Sequence, residues 1–160
     1  MDLGIAMRRA VLCLAVMLLP SAALADGWTA QMEEDEGGPV MVASITASAD
    51  GNITPELRLM CAGSEGVMLR YLTAADTVSP GSEANFLFEN ETSQITEHMQ
   101  YEDMDGAFAA YFPPTDKMIE FLKTGDEVFI SESSGNYPAQ TFPLKGSSKA
   151  IDTLLKTCSK

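Results

Sequence analysis

The feature that most constrains this chain is a pair of cysteines, Cys61 and Cys158, set 97 residues apart behind an export signal. Arg8 and Arg9 precede an apolar run from Ala10 to Leu19, and Pro20 and the small-residue end Ala23-Leu24-Ala25 follow it. Charged, apolar and small-residue segments in that order make a cleavable signal peptide. The apolar run is too short to cross a bilayer as a helix, which takes roughly 20 residues. Residues 1–25 are therefore expected to be cut off after Ala25, leaving residues 26–160 as a single periplasmic domain of about 135 residues, not membrane-spanning. Cys13 leaves with the signal and lacks the preceding small residues that lipid attachment uses. An even pair of cysteines in an exported chain reads as one disulfide. A nucleophilic or metal-binding cysteine is the alternative, and the sequence offers no C-x-x-C to support it.

Two separate periodicities aim these sulfurs at the same interior. Residues 57–61 and 67–73 alternate in polarity around a connection whose Gly63 and Gly66 can take positive φ, which predicts a hairpin. Leu57, Leu59 and Cys61 then share one face, Val67, Leu69 and Tyr71 continue it, and Arg58 and Arg70 point the other way. Near the end of the chain Ile151, Leu154, Leu155 and Cys158 fall at i, i+3, i+4 and i+7 behind an N-cap at Ser147 or Ser148, which predicts an amphipathic helix. A bridge joining that helix to the sheet satisfies both patterns.

The rest of the mature chain reads mostly as short strands between turns. Strands are expected at 27–32, 40–48, 85–89, 95–101, 107–112, 127–131 and 140–144, with turns at 33–39, Asp50-Gly51-Asn52, 79–82 and 102–106. Pro113-Pro114 stops the sheet, and Thr115 caps a short helix carrying Met118, Ile119, Phe121 and Leu122 and ending near Gly125. The expected fold is mainly β (α+β). It is an antiparallel β-sandwich or open barrel with one short helix and a C-terminal helix tied to the sheet by Cys61–Cys158.

Charge narrows the function. Lys and Arg total 10 against 23 Asp and Glu, and residues 26–105 hold 16 carboxylates against only Arg58 and Arg70. A chain so poor in cations is not built to neutralise a phosphate backbone, so nucleic acid is excluded as a partner. Glu33-Glu34-Asp35-Glu36 and Asp103-x-Asp105-Gly106 read as solvated turns, since neither has the ligand spacing of a calcium loop. Glu97 with Glu102, or Glu89 with Glu91, could be imagined as a hydrolytic carboxylate pair, but nothing in the spacing brings either together. His98 alternates onto the face opposite Ile95, Met99 and Tyr101, so it reads as a solvent-facing strand residue rather than a copper ligand. The seven Met of the mature chain read as packing groups, and Trp28 reads as packing the first strand onto the core in preference to anchoring a partner. No catalytic residue, metal or cofactor is expected.

Trp28, Leu57-Arg58-Leu59-Met60-Cys61, the short helix before Val128-Phe129-Ile130, and Ala139-Gln140-Thr141-Phe142-Pro143-Leu144-Lys145-Gly146 leading into Ala150, Leu154, Leu155 and Cys158 form an ordered set. In that order the chain resembles the small exported domains of the type VI secretion-associated TagO/VasI-like family. The resemblance spans most of the mature chain and implies a periplasmic accessory domain, with no catalytic residues to carry over. The expected function is thus non-enzymatic binding of an envelope or secreted protein. The alternative is an acidic periplasmic inhibitor of a basic hydrolase such as lysozyme.

Overall fold

A computed structural model describes residues 27–35, 37–47 and 53–158. The expected signal peptide and cleavage point, Cys13 and the expected break at Asp50-Gly51-Asn52 lie outside the described residues. Among those described, nine strands form one antiparallel sheet: β1 (Thr29–Asp35), β2 (Gly38–Thr46), β3 (Glu56–Cys61), β4 (Val67–Leu72), β5 (Glu83–Glu89), β6 (Gln94–Glu102), β7 (Ala107–Phe112), β8 (Glu127–Glu132) and β9 (Gln140–Pro143). Helices α1 (Lys117–Leu122) and α2 (Ser147–Cys158) complete the fold.

The sheet order is β1-β2-β3-β4-β7-β6-β5-β8-β9. The β5-β6-β7 meander turns back so that β7 lies beside β4, a Greek-key step, and the segment carrying α1 crosses to place β8 on the far side of β5. Of the two expected forms the chain takes the open barrel. Strand twist curls the single sheet until its two edges approach, and the Trp28 amide donates to the Lys145 carbonyl at 2.9 Å across the seam. The Trp28 indole Nε1 donates to the Pro143 carbonyl at 3.1 Å. The approach is close enough that a Cβ on Gly27 would stand 2.7 Å from the Lys145 carbonyl oxygen. A side chain there would push the edges apart.

Alternation then decides the core. Leu57, Leu59, Leu69, Tyr71, Phe86, Phe88, Met99, Phe108 and Phe142 all face the concave side and are fully buried. Tyr71 meets Phe86 edge-on at 5.2 Å, and Phe86 meets Phe108 at 5.0 Å, the offset geometry that aromatic quadrupoles favour. Helix α2 lays Ala150, Ile151 and Leu154 into this concavity against β1, β2 and β3. Burying Ile151 and Leu154 contributes about 1.5–3 kcal/mol each. The Cys61–Cys158 disulfide joins the end of β3 to the last turn of α2, with Cα atoms 5.2 Å apart.

Three local expectations are corrected. The first strand runs on through Glu33, Glu34 and Asp35, which had read as turn, because Asp35 pairs directly with Gly38 and Glu33 reaches across β2 to Arg58. Helix α1 is capped by Asp116 rather than Thr115: the Asp116 amide bonds the Pro113 carbonyl, and Asp116 Oδ1 then accepts the Met118 amide at 2.8 Å. Finally, not every Met packs, since Met32 is 56% and Met104 90% exposed. Met104 sits at the tip of the β6-β7 turn, and Met32 on a sheet edge that, among the described residues, has no strand beyond it.

Candidate functional site

The outer face carries the ionised side chains. Arg58 and Arg70 stand directly opposite each other on β3 and β4, a like-charge pair that would repel if bare. Each is compensated: Arg58 by Glu33 and, at 3.4 Å, Glu56; Arg70 by Glu102 at 2.9 Å and Asp105 at 2.6 Å. Tyr111 donates to the other oxygen of Glu102 at 2.7 Å. Burial pushes the Glu56 carboxyl above its usual range, with Arg58 opposing the shift and Glu33 adding to it. Both arginines are thus occupied internally, and residues 53–105 present no further Lys or Arg.

The suspected carboxylate pairs divide. Glu97 and Glu102 are an odd number of residues apart on β6, so they face opposite sides of the sheet and do not meet. Glu97 turns inward, where burial and the nearby Asp116 raise its carboxyl while Lys117 and His98 oppose them. Glu89 and Glu91 do converge, on a shallow recess that they share with Asn90, Glu127 and Phe129. Glu89 lies directly across from Phe129, whose ring is 41% exposed. Glu91 accepts the Asp126 amide at 3.1 Å, and backbone hydrogen bonds hold its carboxyl below the usual range. An anion so stabilised is poorly suited to act as a general acid. The recess offers negative charge around an aromatic ring, the chemistry that receives a Lys or Arg side chain. Sequence reasoning missed Phe129, because an aromatic in a strand ordinarily signals a core position.

The remaining suspects have structural occupations. His98 faces outward, with Nδ1 3.2 Å from Asn85 Oδ1 and Nε2 3.5 Å from Glu83 Oε2. Trp28 is buried at the seam. Among the described residues no three His, Cys, Asp or Glu side chains are grouped to hold a metal ion, and no helix is long and apolar enough to cross a membrane. Beside the seam a groove of 470 Å³ runs between the start of β1 and α2, lined by Trp28, Thr29, Ala30, Lys149, Ala150 and Thr153 among others. It adjoins a wider recess that also includes Lys123, Asp152 and Lys156, where Lys123 is held by Asp152 at 3.0 Å.

No known family model matches the chain, and neither a curated protein nor a solved structure shows significant similarity to it.

Proposed function

We propose that this protein is an exported binding domain, without catalytic activity of its own, that docks a protein partner in the bacterial envelope through its acidic surface. The observation that carries this reading is the filling of the barrel. The concave side, where a barrel of this kind would hold a small ligand, is packed by aromatic side chains, α1 and α2. What remains accessible is an outer surface rich in carboxylates, suited to steering and holding a basic partner. The order of motifs resembling TagO/VasI-like domains supports a secretion-system accessory as the setting, and the disulfide is compatible with an oxidising compartment.

The test is capture from periplasmic extract with the mature protein at low and raised salt. A partner lost as salt rises supports the reading. No partner at either salt, or one held regardless of salt, overturns it. The recess around Phe129 favours one specific alternative, inhibition of a basic lysozyme, whose surface cations would enter it. Binding together with loss of lysozyme activity supports that alternative, and absence of binding removes it. N-terminal sequencing of the exported protein checks the compartment: it is expected to begin at Asp26.

A further inference from the structure

We propose that the open edge of β1 receives an extended segment of a protein partner as an added antiparallel strand, basic where it passes the β1-β2 hairpin. This rests on the docking reading and names where and how the partner binds.

The direction of each β1 amide follows from the seam. Backbone groups of successive strand residues point to alternate edges. Because the Trp28 amide points away from β2, to Lys145, the amides of Thr29, Gln31, Glu33 and Asp35 point toward β2 and those of Ala30, Met32 and Glu34 point outward. Two further observations fix the same phase. Pro39, which has no amide hydrogen, occupies a position of β2 whose amide would point away from β1, and the Ala47 amide, in the same phase as Pro39, bonds the Pro55 carbonyl on the β3 side at 3.0 Å. Among the described residues no strand lies beyond β1. The seam bond therefore uses the outward amide of Trp28 and leaves those of Ala30, Met32 and Glu34 as a ladder.

The same strand says what would pair with it. Its seven residues form an unbroken ladder with β2, without bulge or proline, so the outward edge is regular enough to template another strand. Met32 shares its face with Ala30 and is 56% exposed, so an apolar side chain directly opposite would cover it. Glu33, Glu34 and Asp35 give the hairpin end three carboxylates, of which Glu33 shares Arg58 with Glu56, so the group keeps a surplus of negative charge. In an antiparallel pair of two copies these carboxylates would face Gln31, Ala30 and Thr29 with no cation opposite, on chains that each carry a large negative excess. The charges that disfavour self-pairing select a basic strand. Lys149 lines the groove at the Ala30 end, so cations are needed only toward the hairpin.

The probe is the peptide Lys-Val-Lys-Val-Thr-Val-Thr, matched in length to β1 and read antiparallel so that its lysines oppose Asp35 and Glu33. It is added to the mature protein and followed by amide hydrogen exchange. Binding is expected to slow exchange at Ala30, Met32 and Glu34 about tenfold at about 90% occupancy, while Gln31 and Glu33, already bonded to β2, change little. Replacing the lysines by Glu, or N-methylating the central Val, is expected to abolish that protection. Met32→Pro removes an outward donor the sheet does not use, so it is expected to keep the fold and weaken peptide binding at least about tenfold. Gln31→Pro breaks a ladder bond and is expected to unfold β1.

No protection at these three amides, or equal binding of the N-methylated peptide, overturns the proposal. So does protection that grows with protein concentration in the absence of peptide, which would assign the edge to a second copy. Capture of the salt-sensitive envelope partner equally by wild type and Met32→Pro overturns the strand proposal while leaving the docking reading intact. Absence of any such partner overturns the docking reading instead.

Discussion

Removing the disulfide should destabilise the domain heavily without undocking its terminal helix. The bridge closes a loop of 97 residues. Chain entropy alone assigns such a loop about 4.7 kcal/mol at 25 °C, acting through the unfolded state rather than through any native contact. For a domain of about 135 residues each kcal/mol moves the melting temperature by roughly 3–5 °C, so a loss of about 14–24 °C is expected. Ile151 and Leu154 are fully buried and independent of the bridge, so α2 should remain in place. The variant of choice is Cys61→Ala with Cys158→Ala, because serine would put hydroxyls into half-buried positions packed against the core. Calorimetry of wild type and variant gives the shift, near-UV circular dichroism reports α2 packing, and non-reducing peptide mapping confirms that the wild type carries the bridge. A melting temperature within about 3 °C of wild type would refute the entropic reasoning. Loss of near-UV structure at 25 °C would refute the claim that packing alone holds the helix.

Three other outcomes follow from single side chains. The Tyr71 hydroxyl is buried without a hydrogen-bond partner and burial raises its pKa, so Tyr71→Phe should stabilise by about 1 kcal/mol in urea unfolding; a loss of that size would instead reveal a bonded hydroxyl. Glu97 has its carboxyl raised on folding, so the folded state binds the proton more tightly and stability from this group falls as pH rises through that range. Glu97→Gln should therefore be at least as stable as wild type at pH 7, with the difference vanishing below the ordinary glutamate range; a variant less stable at pH 7 would contradict the sign. Trp28→Ala should cost about 3–5 kcal/mol, whereas Trp28→Phe, which keeps one aromatic ring but loses the rest of the indole and its bond to Pro143, should cost about 1–3 kcal/mol; thermal melts separate the two.

The covalent and local features of this fold were legible in the sequence because each is written in a short-range pattern. Strand alternation placed Cys61 inward and helical spacing did the same for Cys158, so their meeting required no knowledge of the sheet between them. Both hairpins around 62–66 and 102–106 announced themselves by glycine and by alternation on either side. What the sequence withheld was the order of strands, since nothing local says that β4 lies beside β7 or that β8 returns to β5. It also misled where charge density and secondary structure disagree. Glu33, Glu34 and Asp35 read as turn by composition, yet pairing with Val40, Pro39 and Gly38 keeps them extended. The inward turn of Glu97 was implicit in the alternation that placed His98 outside, but an acidic residue at a core-facing position is easily passed over. Phe129 and Met32 escaped notice for the converse reason: exposure of an apolar residue depends on what lies next to it in space.

The bonds from Trp28 to Pro143 and Lys145, together with the Cys61 bridge, carry a consequence for how the chain reaches this state. Residues near both ends of the described sequence meet at one join, so an emerging chain has no stopping point at which its first strand is properly seated. The early hairpins can form, but their apolar side stays uncovered until the final helix arrives. Folding dominated by contacts this distant in sequence is slow, which leaves a long interval in which that apolar side stays open to other chains.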